Sequence, residues 1–149
     1  MTKISYTTQS PEETIALAET IGAKLRAGDV IAYQGDLGAG KTTFTRGLAK
    51  GMGLSDLVTS PTFALVHTYG TEEKMLCHFD MYRIESEEEL ETTGFYDYPM
   101  DECVFAVEWS ENIASALPER TIRITMEYLG DTARKITIEG DERFADSGT

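Results

Sequence analysis

Basic residues are scarce in this chain. Its 149 residues hold 13 Lys and Arg against 26 Asp and Glu, a formal net charge of −13. Docking on a nucleic-acid backbone needs clustered Lys and Arg, so the balance argues against direct, phosphate-driven binding of DNA or RNA. It favours partners that present basic patches. Cysteine is almost missing. Cys77 and Cys103 are too few for a disulfide framework or a zinc site, and both lie in apolar, strand-like runs where buried reduced thiols are expected. No apolar run approaches the ~20 residues that span a bilayer, and Met1 to Ser5 lacks the apolar stretch of a signal peptide, so the cytoplasm is the expected compartment. Internal repeats, long linkers and low-complexity segments are also lacking. What remains is 41% apolar content in a chain of single-domain length, enough for a real core. The expected organisation is one domain over 1–140 and a frayed tail over 141–149.

Glycine is concentrated where it matters. Gly35-Asp36-Leu37-Gly38-Ala39-Gly40-Lys41-Thr42 fits G-x-x-x-x-G-K-[ST], the phosphate-binding P-loop. The apolar run Val30 to Tyr33 precedes it and a helix-like segment, Thr42 to Lys50, follows, which is the strand–loop–helix setting the motif requires. Gly35, Gly38 and Gly40 lack a Cβ, so the loop can wrap closely round a phosphate. Successive backbone N–H groups then form an anion nest, and the following helix adds about half a positive charge at its N-terminus. Lys41 can reach the terminal phosphates. The Thr42 hydroxyl is placed to ligate Mg²⁺, and Thr43 can add a hydrogen bond to the phosphates. At −13 long-range attraction does not bring in a nucleotide; local N–H groups, Lys41 and a metal must overcome the field.

Ile4 to Thr7 reads as an edge strand. Ser10-Pro11-Glu12-Glu13 then opens a helix, with Ser10 as N-cap, Pro11 at the first helical position and Glu13 completing a capping box. Ile15, Leu17, Ala18, Ile21 and Leu25 give that helix its apolar face, and its first turn can approach a purine ring. On the P-loop helix Phe44, Leu48 and Met52 share the buried face, Arg46 and Lys50 point to solvent, and Gly51 and Gly53 end it. Val58 to Phe63 is either a hydroxyl-rich γ-phosphate sensor or an ordinary loop, with Pro61 forbidding regular helix. Phe63 to Tyr69 and Met75 to Tyr82 are apolar and β-prone, separated by a turn-like Gly70 to Glu73, and read as a β-hairpin or as two neighbouring strands. Alternation puts His78, Asp80 and Tyr82 on one face of the second. Asp80 is a candidate for holding Mg²⁺ or orienting water, against the plainer reading of a surface acid. His78 is expected to be structural rather than a ligand.

The run Glu85 to Glu91 is acidic and helix-prone, with Ser86 and Glu89 as a second capping box. It is a solvated face or an acidic docking surface. Gly94 to Pro99 reads as an aromatic-rich connection whose rings pack in the core. Cys103 to Val107 is the continuous apolar run of a buried parallel strand, and Glu108 at its end occupies the Walker-B position, followed by the single Trp109. Ile113 to Leu117 is a short helix stopped by Pro118. Thr121 to Tyr128 and Lys135 to Glu139 alternate as a terminal antiparallel pair around a turn at Gly130-Asp131.

Taken together these pieces resemble one family. The P-loop through Thr43, Ser60-Pro61-Thr62-Phe63, His78-Phe79-Asp80-Met81-Tyr82-Arg83 and Val107-Glu108-Trp109 agree in order and spacing, over about residues 10 to 139, with TsaE, the small bacterial P-loop ATPase family of tRNA threonylcarbamoyladenosine (t6A) synthesis. The resemblance implies an α/β fold: a P-loop NTPase three-layer sandwich with a central, mainly parallel sheet, antiparallel additions and flanking helices. It implies ATP and Mg²⁺ as cofactors and slow hydrolysis without partners. The implied partners are TsaD and TsaB, which modify adenosine 37 of tRNAs reading codons that begin with A, so that tRNA is met only through the complex and no membrane is involved. Matched motif by motif, Asp36, Leu37, Gly38, Ala39, Gly40, Lys41, Thr42, Thr43 and Thr62 surround the nucleotide. Thr42, Glu108 and Asp80 take the metal role, and Lys41, Asp80 and Glu108 the catalytic one. Trp109 sits in the active site, and Ser10, Pro11 and Arg134 are further nucleotide contacts. Whether Asp80 or Glu108 positions the attacking water stays open.

Two other readings share the motif. A small-molecule kinase would need an Arg-bearing lid, yet 83–99 is Glu-rich with Arg83 as its one basic residue. A nucleotide-gated assembly module would bind ATP and use hydrolysis as a reset. A GTPase is disfavoured, because no N-K-x-D segment occurs in the chain.

Overall fold

A computed structural model describes residues 2–35, 41–54, 58–59, 66–71, 74–80, 88–89, 99, 101–108 and 117–144. Among these residues the strands are β1 (Thr2–Thr8), β2 (Val30–Gly35), β3 (Val58–Thr59), β4 (Val66–Thr71), β5 (Lys74–Asp80), β6 (Val104–Glu108), β7 (Ile122–Tyr128) and β8 (Arg134–Gly140). Helix α1 (Pro11–Gly22) follows β1, and helix α2 (Lys41–Gly51) follows β2.

The eight strands form one sheet in the order β1-β8-β7-β2-β6-β5-β4-β3. Its centre, β7-β2-β6-β5, is parallel throughout. Antiparallel strands extend both sides, β8 and β1 on one and β4 and β3 on the other. Composition follows position. β2 and β6 are buried on both faces over Val30–Tyr33 and Val104–Val107, as parallel strands covered above and below must be. β7 alternates between buried and open positions. Ile31, Tyr33, Leu76 and Ala106 join α1 and α2 in the main core. The alternate residues Ala32, Cys77, Phe79, Phe105 and Val107 are buried on the opposite face, where the Phe79 and Phe105 rings lie 5.0 Å apart. The sheet is therefore the middle layer of a sandwich. Burial pushes the Cys77 and Cys103 thiols up, so both stay protonated, as their apolar surroundings led one to expect.

Local chemistry sets the helices. Ser10 is the N-cap of α1, its hydroxyl accepting from the Glu13 N–H at 3.2 Å, and Pro11 occupies the first turn. A buried pair of hydroxyls, Thr8 and Thr14, 2.7 Å apart, ties the end of β1 to that turn. On α2, Phe44, Leu48 and Met52 are buried while Arg46 and Lys50 are exposed. α2 packs against α1 at backbone contact. A Cβ on Gly51 would run into the Glu19 carbonyl, so a larger residue there would separate the helices. Lys74 caps the far end of α2, donating to the Met52 carbonyl at 2.6 Å.

The hairpin of β4 and β5 is tighter than expected, since Thr71 already pairs with Lys74. Residues 94–98 of the aromatic connection, most of the acidic run and residues 113–116 of the expected short helix lie outside the described residues. The expected frayed tail over 141–149 needs a correction at 141–144, and 145–149 lie outside the described residues. Glu142–Phe144 is a turn of 3₁₀ helix, and Phe144 is fully buried in the main core. Arg143 holds the segment. Its guanidinium grips both Asp29 oxygens at 2.9 and 3.0 Å, donates to the Lys24 carbonyl at 3.0 Å and pairs with Asp141 at 2.9 Å. This arginine holds the Asp141 carboxyl below the usual carboxylate range. The segment's place at the end of the sequence suggested fraying; one aromatic anchor and one bidentate ion pair hold it instead.

Arg143→Ala leaves the Asp29 carboxylate, only 10% exposed at its side chain, without its fork. The expected loss is about 2–3 kcal/mol, a fall in melting temperature of about 5–10 °C for a chain of this size. Thermal unfolding followed by circular dichroism checks it, and a fall under about 2 °C would show that the staple contributes nothing measurable.

Candidate active site

A parallel strand presents its last residues at its carboxyl end, and four of them end along one edge here. β2 ends at Gly35, β5 at Asp80, β6 at Glu108 and β7 at Tyr128. Antiparallel pairing through β8 brings the end of β1, Thr8, to the same edge, with Thr8 and Tyr128 both opposite Arg134. Segments far apart in sequence thus converge where open α/β sheets carry their ligands.

The end of β2 is built for a sharp exit. Gly35 has φ 106°, and a Cβ there would strike the Met126 carbonyl of β7, so no other residue fits. α2 begins six residues later at Lys41. The motif residues Asp36, Leu37, Gly38, Ala39 and Gly40 lie outside the described residues, as do the side chains of Lys41 and Thr42. Thr43 lies in the first turn of α2 and is half-buried.

Next to this exit stand the two acids. Asp80 and Glu108 are direct neighbours in the β5–β6 register. The Glu108 side chain keeps 18% exposure, and its Oε2 lies 2.7 Å from Nε2 of His78, a buried side chain of β5. A carboxylate only accepts, so Nε2 carries the proton. The His78 ring packs against that of Tyr33 on β2 in a T-shaped pair, with centroids 6.2 Å apart and planes at 74°. The Tyr33 hydroxyl is 2.7 Å from that of Thr45 on α2, both residues being fully buried. Burial pushes the Tyr33 phenol up, so it stays neutral. A string of contacts, two hydrogen bonds joined by one ring packing, therefore runs from α2 through β2 and β5 to the acid at the end of β6. Single-sequence alternation gave His78 the face of Asp80, but not its partner 30 residues on.

At the other end of the edge, a cleft of about 270 Å³ lies between β1 and α1, lined in part by Tyr6, Thr8, Glu13 and Thr20. Thr8 and Glu13 flank Ser10 and Pro11 in the chain. Arg134 joins this end through the register. Its guanidinium donates to the Gly130, Asp131 and Ala133 carbonyls at 3.1, 3.3 and 2.9 Å and lies 4.6 Å over the Tyr128 ring. It closes the β7–β8 turn while keeping a positive charge at the edge. Thr62 and Trp109 fall outside the described residues, as does the side chain of Asp80.

The donor set suits a hard cation. A carboxylate at Glu108, a second acid beside it in the sheet and a hydroxyl-bearing first turn on α2 are all oxygen donors, which Mg²⁺ takes while keeping several waters. Among the described residues no cluster of three or more His, Cys, Asp or Glu forms a closed metal cage. No helix among them is long and apolar enough to cross a membrane.

Known proteins resemble this chain in sequence and fold. The sequence profile described as Threonylcarbamoyl adenosine biosynthesis protein TsaE matches residues 8–136. A tRNA threonylcarbamoyladenosine biosynthesis protein TsaE from Bacillus subtilis is 41% identical over 137 residues, covering 92% of this chain and 85% of the relative. A TsaE from Haemophilus influenzae is 44% identical over 109 residues, with 73% and 68% covered. A crystal structure of YdiB from B. subtilis superposes with a TM-score of 0.71 at 36% identity, over 92% of this chain and 84% of that one. With the fold, the sheet edge and the sequence in agreement, this chain belongs to the TsaE family of tRNA threonylcarbamoyladenosine biosynthesis.

Proposed function

We propose that the chain is a Mg²⁺-dependent ATPase that supports t6A formation at position 37 of tRNAs reading codons that begin with A. It works in the cytoplasm with TsaD and TsaB and does not transfer the group itself. The observation that carries this reading is the shared sheet edge. There β2 leaves through Gly35 into the G-x-x-x-x-G-K-T motif and α2, beside the adjacent ends of β5 and β6 that hold Asp80 and Glu108. Phosphoryl transfer to water asks little covalent chemistry of a protein; it asks for positioning and for charge aimed at the phosphates.

In this reading backbone N–H groups of residues 36–40 and the N-terminus of α2 cradle the phosphates, and Lys41 neutralises the terminal ones. Thr42, Asp80 and Glu108 are the residues that would hold Mg²⁺. Bound there, the ion would offset charge building on the β- and γ-phosphate oxygens. One of the two acids orients the attacking water. Thr62 and Trp109 adjoin the reacting end, and the β1–α1 cleft by Ser10 and Pro11 receives the base with Arg134 nearby. The net charge of −13 fits a protein that docks on other proteins and meets tRNA only through them.

Hydrolysis by the purified chain, alone and with TsaD–TsaB, tests the reading directly. Stimulation by the pair is expected, lost together with ATP binding and t6A formation in Lys41→Ala, whose melting temperature stays within about 2 °C of wild type because that substitution sits at a helix start. Full t6A formation by Lys41→Ala would overturn the role of ATP, and phosphoryl transfer to a small acceptor would move the assignment to a kinase. The acidic run gives an independent expectation. Reversing Glu87, Glu88 and Glu89 to Lys weakens docking on TsaD–TsaB at low salt without changing ATP affinity; unchanged docking in a pull-down titration would remove that surface from the interface.

A further inference from the structure

The string that ends on Glu108 has no part in the reading above, and its geometry is specific. Glu108 carries three side-chain torsions at an edge where its carboxylate keeps 18% exposure. Left alone, such a side chain samples several rotamers. His78 removes that freedom. Its Nε2–H donates to Oε2 at 2.7 Å, the length of a charge-assisted bond. His78 is itself 5% exposed in β5 and is packed against the ring of Tyr33. Tyr33 in turn is locked to α2 by the Thr45 hydroxyl and by the Phe44 ring, 6.2 Å away at 88°.

We infer that His78 is a positioning residue for Glu108: it fixes the plane and reach of that carboxylate and references it, through Tyr33 and Thr45, to the helix that starts at Lys41. The inference rests on Glu108 having the role proposed above. Each link lies on the α-helical face of the sheet, so the carboxylate moves with α2 rather than independently of it. The bond needs an Nε2–H donor, which sets the demand on residue 78: an amide that donates from the same place can replace the imidazole, and a methyl group cannot.

Two measurements on the full chain separate this inference from the function it builds on. The first uses no nucleotide. The chain has two histidines, His67 and His78, so nitrogen-15 spectra of labelled imidazoles are simple to assign with His78→Gln. The expected result is a proton on His78 Nε2 and a His78 signal displaced by Glu108→Ala. A His78 ring protonated on Nδ1 alone, or one indifferent to Glu108→Ala, overturns the inference.

The second is steady-state ATP hydrolysis with Mg²⁺ and TsaD–TsaB, on variants shown by thermal unfolding to be folded. His78→Ala lowers kcat about 10- to 100-fold, the usual cost of losing a residue that orients a ligand, with KM for ATP changed less than about 2-fold because phosphate binding is left intact. His78→Gln recovers most of the loss. In a Glu108→Gln background, His78→Ala adds no further loss. A KM effect without a kcat effect, a Gln variant as poor as the Ala variant, or losses that multiply would each show that His78 acts otherwise. If the wild-type chain hydrolyses no ATP in any setting, the proposed function fails, and the spectra alone still decide whether His78 holds Glu108.

Discussion

A parallel strand pair cannot be closed by a short turn, so each strand must leave the sheet at its carboxyl end and return by a crossover. β2, β5 and β6 meet this constraint, β7 joins the same parallel set before turning back into antiparallel β8, and the ends of all four stand along one edge. Burial on both faces leaves room only for apolar side chains within β2 and β6. The strand ends carry different residues: Gly35 on β2, Asp80 on β5, Glu108 on β6, with burial falling off at Gly35 and Glu108. The candidate site is thus the place where the packing rule for a covered parallel sheet first relaxes.

What begins at that edge is braced from behind. α2 is pressed to α1 at Gly51, held to β5 by Lys74 on the Met52 carbonyl and joined to β2 by the Tyr33–Thr45 hydroxyl pair. The braces differ in kind. The first is packing without room for a side chain, the second a charged cap, the third a buried neutral hydrogen bond. A site whose work is positioning gains from such redundancy, because its groups need little reorganisation when a ligand arrives. The tail adds to it from a distance. Arg143 clamps Asp29 just before β2 begins, so the strand that feeds the motif is anchored at its start as well as along its length.

Much of this was legible in the sequence, for identifiable reasons. The cap at Ser10, the buried face of Phe44, Leu48 and Met52, the β4–β5 hairpin and the buried run ending at Glu108 are written in local patterns of period, cap and turn. Motif order and spacing carried the family. Long-range register was not legible. Alternation put His78 and Asp80 on one face of a strand, but only the pairing of Asp80 with Glu108 brings His78 to that glutamate. Tyr33 read as one more apolar strand residue, because nothing local shows that a hydroxyl on α2 waits for it. The antiparallel β7–β8 pair was legible, but not that β7 lies in parallel against β2 and completes the edge. Phe144 was lost in a polar tail, since one aromatic among charges carries no period.

The charge of the chain makes the His78 contact more than a steric detail. With a net −13, a carboxylate at the sheet edge repels an incoming phosphate unless its field is directed at a cation or a donor. The Nε2–H of His78 is such a donor, and it faces Glu108 from within the fold, where the interaction is screened less than at the surface. The next link, Tyr33, is kept neutral by burial and brings no competing charge. Its effect is positional. One oxygen of Glu108 is bound from behind, and the carboxylate is aimed by the same strands that aim the start of α2. An acidic protein can then keep an acid beside a phosphate site, because the fold decides where that acid points.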